Sequence, residues 1–477
     1  MSTLWNPVRT LIDGLGRLLV YLGLLSRARA RRISGLAWPR IVTGLARMSK
    51  ATADVAMVGT ALGASAIAGV GYGVPFWTMT FMLGGGIAGG TISLVSQRYG
   101  ADRHERISVA IYVSALLALG VTLPLVVVFW TMPEPLIRLI GTGEEAIQYG
   151  TDYLRVASLA MPFSALNLIA SRALIGADDA HTPMVVRAGG AVVNVGLNAV
   201  LIFVFDLGVV GAALGTVVGS MGGTALFAWA LLRGRFPGLG ALPVRLDRYG
   251  PFWNARDARH LVRISSPLAL RKIVQNGAQF PLLAIIGLFG ADVVAAYVVA
   301  LRVRALMNTP GWGFGLASSS LVGQALGRRA DREAVEYAHA TFRFTLAAYA
   351  TVAVATFLAA TPVSRLFLQD AATLDVTAAL VRVACGSVLL WGVLNGAMGP
   401  LRAGGDTQWP FYGQVLGLFG FALPVAYLGA TTPLGLWGLY LSLVLETGVP
   451  AAVIYYRYQT RAWLRIGRAY RAETVGA

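Results

Sequence analysis

The sequence predicts an all-α membrane protein with twelve transmembrane helices in two six-helix repeats. Three observations carry this expectation. Of 477 residues, 56% are hydrophobic and only 13% are charged, against roughly a quarter charged in soluble domains. Apolar stretches of about 20 residues recur along the chain, and that length crosses the hydrocarbon core as a helix. The layout also occurs twice, at an offset of 227 residues. Ser93-Leu94-Val95-Ser96-Gln97-Arg98-Tyr99-Gly100 returns as Ser320-Leu321-Val322-Gly323-Gln324-Ala325-Leu326-Gly327. Gly63-Ala64 returns as Gly290-Ala291, Asp179 and Pro183 as Asp406 and Pro410, and Gly208 and Gly211 as Gly435 and Gly438. Duplication in a membrane chain points to a transporter whose halves move about a central site.

Residues 1–36 are amphipathic and arginine-rich, and read as a cytoplasmic segment lying on the membrane surface. No cleavable signal peptide is evident. The first lobe, 37–232, holds spans at about 37–61, 67–92, 107–131, 152–173, 183–204 and 209–232. The stretch 233–263, rich in Gly, Pro and Arg, is the longest polar break and reads as a cytoplasmic linker. The second lobe, 264–456, holds spans at about 264–288, 294–319, 337–360, 377–399, 410–430 and 435–456, and 457–477 is a cytoplasmic tail. The 57 glycines suit close helix packing in lipid. A single cysteine, Cys385, excludes an intramolecular disulfide and a cysteine metal cluster.

The net charge of +17 is distributed in a way that argues against nucleic acid as partner. Arginines gather in alternate loops: Arg98, Arg103 and Arg106 after the second span, and Arg328, Arg329 and Arg332 after the eighth. The intervening loops are poor in arginine, which is the positive-inside pattern and places both termini in the cytoplasm of a plasma-membrane protein. The spans hold no Ser/His/Asp, His/Glu metal or paired-carboxylate constellation, and the four histidines lie in or near loops, where solvent-facing placement is expected. The sequence therefore does not predict an enzyme, and predicts no cofactor.

The repeats differ most at polar positions. Asp54 lies inside the first span, about seven residues from its outer end, and a carboxylate at that depth is a functional candidate. Its counterpart is Pro281. Asn194 and Asn198 share one face of the fifth span, and their counterparts are Phe421 and Val425. Thr216 in the sixth span has Leu443 as its counterpart. At about 1.5 Å per residue, Asp54, Asn198 and Thr216 come roughly 10 Å below the outer surface, with Asn194 one turn deeper. If the three helices adjoin, the four side chains form one polar pocket. Carboxylate, amide and hydroxyl oxygens suit a small alkali cation, so this is also the possible Na⁺ site. The same carboxylate can instead be the group that takes up a proton. Asn and Thr also glue membrane helices together, which is the plainer reading of those three.

At these residues the chain resembles the multidrug and toxic compound extrusion (MATE) family. Asp54-x-x-Met57-Val58-Gly59, followed by Gly63-Ala64, looks like that family's first-helix motif. Ser96-Gln97-x-x-Gly100-Ala101 looks like its motif after the second helix. Leu174-Ile175-Gly176-Ala177-x-Asp179-x-x-Thr182-Pro183 and Leu401-Arg402-Ala403-Gly404-Gly405-Asp406-Thr407 resemble its paired loop motif. The resemblance covers roughly residues 35–460. It implies two six-helix lobes and exchange of Na⁺ or H⁺ for an exported organic solute. Asp54 matches the family's coupling aspartate, and Asn194 and Thr216 match positions that accompany it. Asn198 departs from the aspartate that prokaryotic members often have there. That loss weakens a Na⁺ site and favours protonation of Asp54.

Further residues are candidates for substrate contact. Glu446 falls within the twelfth span; it can pair with Arg302, Arg304, Arg271 or Lys272, or recognise a cationic solute. Arg302 on the cavity wall would favour an anionic or zwitterionic solute instead. Trp77 and Trp391 are aromatic candidates for the cavity lining, with interfacial placement as the alternative. Asp179 and Asp406 read as helix caps. Taken together these residues lead to the expectation of a monomeric, cation-coupled antiporter. Seated in the lipid bilayer, it would export small organic, cationic or amphiphilic compounds by alternating access. The alternative is a flippase for a lipid-linked or anionic amphiphilic substrate.

Overall fold

The computed structural model describes residues 6–365 and 371–475; the ends of the expected surface segment and tail, 1–5 and 476–477, lie outside it. The described chain is almost wholly helical. The surface helix α1 spans Pro7–Tyr21, and the first lobe's helices follow as α2 (Arg27–Leu62), α3 (Ala64–Gly100) and α4 (His104–Thr131). Next come the short α5 (Pro133–Arg138), α6 (Glu144–Ser158), α7 (Met161–Gly176), α8 (His181–Ala199, continuing as a π-turn through Val204) and α9 (Gly208–Arg233). A two-stranded antiparallel hairpin follows, β1 (Arg235–Phe236) against β2 (Gly240–Ala241). The second half runs α10 (Ala255–Gly277), α11 (Gln279–Gly287), α12 (Ala291–Met307), α13 (Thr309–Gly327), α14 (Asp331–Leu358) and the short α15 (Ala360–Arg365). It ends with α16 (Ala371–Gly404), α17 (Gln408–Val415, then a π-turn to Ala422), α18 (Leu423–Thr431), α19 (Leu436–Gln459) and α20 (Ala462–Val475).

Among the described residues, nine helices are long and apolar enough to cross a membrane, and α6 with α7 makes a tenth span bent by 49°. Pro162 stands in the first turn of α7, where its missing N–H costs nothing. Pro310 opens α13 in the same way, whereas Pro424 follows directly on the π-turn that ends at Ala422. The first and seventh spans, α2 and α10–α11, complete the twelve. They fall short in apolarity because they carry Arg40, Arg47, Lys50 and Asp54, and Arg263, Arg271 and Lys272.

The backbone repeats as the sequence does. Five left-handed residues of the first half, Gly63, Asp102, Asp178, Gly208 and Gly234, recur 227 residues later at Gly290, Arg329, Gly405, Gly435 and Arg461. Each marks a turn between helices, so the turns are copied even where the side chain is not.

Two compact units emerge, Val42–Ala269 and the remainder, with boundaries inside α2 and α10. The stretch 233–263, expected as a linker, packs within the Val42–Ala269 unit. Phe236, Val244 and Leu246 join the core of the Val42–Ala269 unit with Leu174 and Leu231, and Ser108 Oγ donates to the Arg245 carbonyl at 3.0 Å. The early turns of α10 pack there too: a Cβ at Gly86 would strike the Ser265 carbonyl and Ala269. His260 is buried in this contact, contrary to the solvent-facing placement expected for it. The same unit holds the Arg98–Asp257 ion pair at 2.6 Å, almost fully buried. In the other unit α1 lies with Gly16 against Phe344, and Arg32 reaches Tyr337 at 3.1 Å.

Candidate coupling site

The four polar residues singled out by the repeat comparison meet in the Val42–Ala269 unit. Asn198 Nδ2 donates to Asp54 Oδ1 at 2.8 Å and to Asn194 Oδ1 at 3.2 Å. Asn194 Nδ2 donates to the Gly215 carbonyl at 2.6 Å. Both asparagines are buried. Thr216 Oγ1 turns back to the Ala212 carbonyl at 3.1 Å.

Glycine makes this approach possible. A Cβ at Gly215 would collide with Asn198 Oδ1, and one at Gly219 would come within 3.1 Å of Asn194 Nδ2. Two glycines four apart on α9 thus open the face that receives two asparagines four apart on α8. Met57, Val58, Val70 and Ile202 belong to an apolar cluster beside the site, and Tyr153 lies near enough to feel the Asp54 charge.

A fifth residue belongs here and was missed. Lys50 Nζ contacts Asp54 Oδ2 at 2.6 Å and Thr216 Oγ1 at 3.4 Å. Lys50 and Asp54 are one turn apart on α2, and about a fifth of each side chain is exposed. Both oxygens of the carboxylate therefore face N–H donors, one from an amide and one from an ammonium. Asn198 meets Asp54 through its nitrogen, while its own oxygen is buried without a hydrogen-bond partner. The repeat comparison contained the signal: Lys50 has Gly277 as its counterpart.

The second unit places the other candidates. Glu446 accepts two hydrogen bonds from Arg304, each of 3.0 Å, and both residues are buried. Arg304 also lies over the Trp391 ring at 4.9 Å. Of the cations considered for Glu446, Arg304 is the partner, and Arg302 is exposed. Trp77, in the first unit, packs edge-on to Phe81. Asp179 caps α8, accepting from His181 N at 3.0 Å and Thr182 N at 2.9 Å. Asp406 instead pairs with Arg457 at 2.6 Å; burial pushes its carboxyl up by more than Arg457 pulls it down.

The family profile described as MatE matches residues 39–200 and again 267–428. The chain belongs to the MATE family. MATE proteins are multi-pass membrane transporters, not enzymes, and they are ion-coupled. Among similar proteins, a probable multidrug resistance protein NorM of Bradyrhizobium diazoefficiens is 28% identical over 453 residues, 91% of this chain and 93% of that one. The probable multidrug resistance protein YoeA of Bacillus subtilis is 26% identical over 412 residues, 84% and 87% of the two chains. A MATE transporter structure in the outward-facing conformation superposes with a TM-score of 0.83 at 22% identity, covering 91% of this chain and 96% of that one. A transporter of the MOP superfamily from Pyrococcus furiosus, whose pocket is described as having reverse polarity, superposes equally well, with a TM-score of 0.83 at 21% identity and coverage of 95% and 98%. The twelve-helix, two-repeat fold of this MATE protein is that of these structures.

Proposed function

We propose that the chain is a proton-coupled antiporter that exports an organic compound by alternating access, with Asp54 as proton acceptor and Lys50 as its tethered counter-ion. The Lys50–Asp54 contact of 2.6 Å is the observation that carries this reading. An ammonium sits where a coupling Na⁺ would need the carboxylate, and Asn198 presents a donor rather than an oxygen. A proton needs neither position vacated.

Proton uptake converts the Asp54 carboxylate to a neutral acid. That removes the charge partner of Lys50 and weakens the charge-assisted bond from Asn198. An unpaired ammonium is costly in a part-buried site, so Lys50 must swing away. That movement loosens α2 from α8 and α9, because Asp54–Asn198 and Lys50–Thr216 are polar ties between them. Uptake from outside and release to the cytoplasm would follow from the positive-inside orientation, with both termini cytoplasmic in the plasma membrane.

Proteoliposomes with separately imposed H⁺ and Na⁺ gradients test this. A proton gradient should drive export in the wild type, a Na⁺ gradient should not, and Asp54→Asn should fall to background while still inserting. Normal gradient-driven transport by Asp54→Asn removes the role of Asp54. Export driven by Na⁺ alone removes the proton reading.

A further inference from the structure

We propose that Asn308 and Asn395, positioned by Tyr349, form a binding site in the second unit for a neutral carboxamide-like group of the exported compound. The site stands on geometry; only its use in export rests on the antiport reading above.

Three spans of the second unit meet in one polar cluster. Tyr349 Oη, on α14, donates to Asn308 Oδ1 at 2.5 Å. Asn395 Nδ2, on α16, donates to Tyr349 Oη at 2.8 Å and lies 3.4 Å from Asn308 Oδ1. Tyr349 is fully buried, and two glycines make room for it. A Cβ at Gly311 would collide with its hydroxyl, and one at Gly392 would come within 3.0 Å of its Cβ. The residues 227 positions earlier are Phe81, Thr122 and Leu168. The repeats thus differ in both directions: polar groups are private to the first half at Asp54, and amides are private to the second half at Asn308 and Asn395.

The hydrogen bonds separate a binding site from a helix staple. A staple spends its polar groups on one another. Here the Asn308 oxygen and the Asn395 nitrogen are spent, whereas Asn308 Nδ2 and Asn395 Oδ1 have no partner among the described residues. Both asparagines are part-buried rather than sealed. Asn308 stands near the midpoint of the span Asp292–Gly327, at the turn where α12 gives way to α13. Lipid offers an amide no partner at that depth. Interrupted helices near mid-membrane are where transporters hold their solutes. A donor on one amide and an acceptor on the other suit a solute group that presents both C=O and N–H, as a carboxamide or lactam does. Arg304, one turn from Asn308, is paired with Glu446 through two hydrogen bonds of 3.0 Å, so it holds no charge in reserve for an ionic group.

Binding is measured on the purified full chain with three probes that share one fluorescent ring system. They carry a primary carboxamide, an N,N-dimethylcarboxamide or a trimethylammonium group. The wild type should bind the carboxamide about 10-fold more tightly than the dimethyl probe, which lacks the N–H and leaves Asn395 Oδ1 unpaired. It should bind the ammonium probe more weakly than the carboxamide. Asn308→Leu and Asn395→Leu should each reduce the carboxamide preference, and the double variant should bind both amide probes alike. Tyr349→Phe keeps the ring but frees both amides to turn, and should reduce the preference too. A ratio of two affinities on one protein does not depend on how much of a variant folds, so a merely structural role would leave it unchanged. Equal binding of the amide probes by the wild type, an unchanged ratio in the double variant, or preference for the ammonium probe overturns the site. Asp54→Asn should keep the wild-type ratio while losing proton-driven export of the carboxamide probe from proteoliposomes. Export of that probe that ignores the proton gradient would refute proton coupling and leave the site standing. Proton-driven export of the ammonium probe alone would overturn the site's use in export.

Discussion

Removing one partner of the Arg304–Glu446 pair should destabilise the protein far more than removing both. Each carboxylate oxygen takes a guanidinium hydrogen bond of 3.0 Å, and only about a twentieth of either side chain is exposed. Glu446→Gln strands a guanidinium that cannot lose its proton, and breaking a buried pair in this way typically costs about 3–5 kcal/mol. Arg304→Met strands a carboxylate, which can take up a proton and so should cost less. The double variant, Arg304→Met with Glu446→Leu, buries apolar groups of similar volume and should return to within roughly 1–2 kcal/mol of the wild type. The difference is a coupling energy of at least about 2 kcal/mol in a double-mutant cycle. Unfolding titrations of the four proteins in bicelles measure it. If the double variant loses as much as the two singles added together, the pair is not a clamp. A Glu446→Gln protein of wild-type stability with altered solute affinity would return Glu446 to the role of substrate carboxylate.

Three further outcomes follow from the coupling site. Gly215→Ala should cut gradient-driven export at least about 10-fold by displacing the Asn198 amide, a loss that one charged hydrogen bond accounts for, while Gly222→Ala, with open space around it, should leave export unchanged. Lys50→Met with Asn198→Asp adds a carboxylate and removes the tethered cation, so export should acquire Na⁺ dependence; unchanged ion dependence would refute the counter-ion role. Lys50→Arg keeps the charge but replaces a compact ammonium with a planar group that stays protonated; export should fall while stability holds, and full export would show that only the charge matters.

The fold was legible because hydrophobic length and a constant offset do not depend on tertiary detail. Even the turns could have been placed from the repeat: Gly63 and Gly290 take the same left-handed conformation, as do Asp102 and Arg329. The boundary between the units was not legible. Span hydrophobicity says that α2 and α10 cross the membrane, but not that each changes packing partner along its length. In the site, subtracting one repeat from the other found Asp54, Asn194, Asn198 and Thr216, because their counterparts are apolar. It would have found Lys50 as well, since its counterpart is Gly277. Glu446 was visible as an anomaly, yet several cations were in sequence range, and only packing selects Arg304.

The choice of basic residue then becomes informative. Of 39 lysines and arginines, only Lys50 and Lys272 are lysines. Both lie in the first and seventh spans, the two whose apolarity is reduced by charge. Arginine serves in the loops and in the Arg98–Asp257 and Arg304–Glu446 pairs. Lys50 stands beside Asp54, a deep carboxylate of which about a fifth of the side chain is exposed. An ammonium on a flexible stem can release a carboxylate, rotate to a hydroxyl such as Thr216, and give up its proton when desolvated. A guanidinium in that place would lock Asp54 in its charged state. In the proposed cycle, arginine supplies the fixed charges within each unit, and Lys50 supplies a charge on a stem flexible enough to leave Asp54.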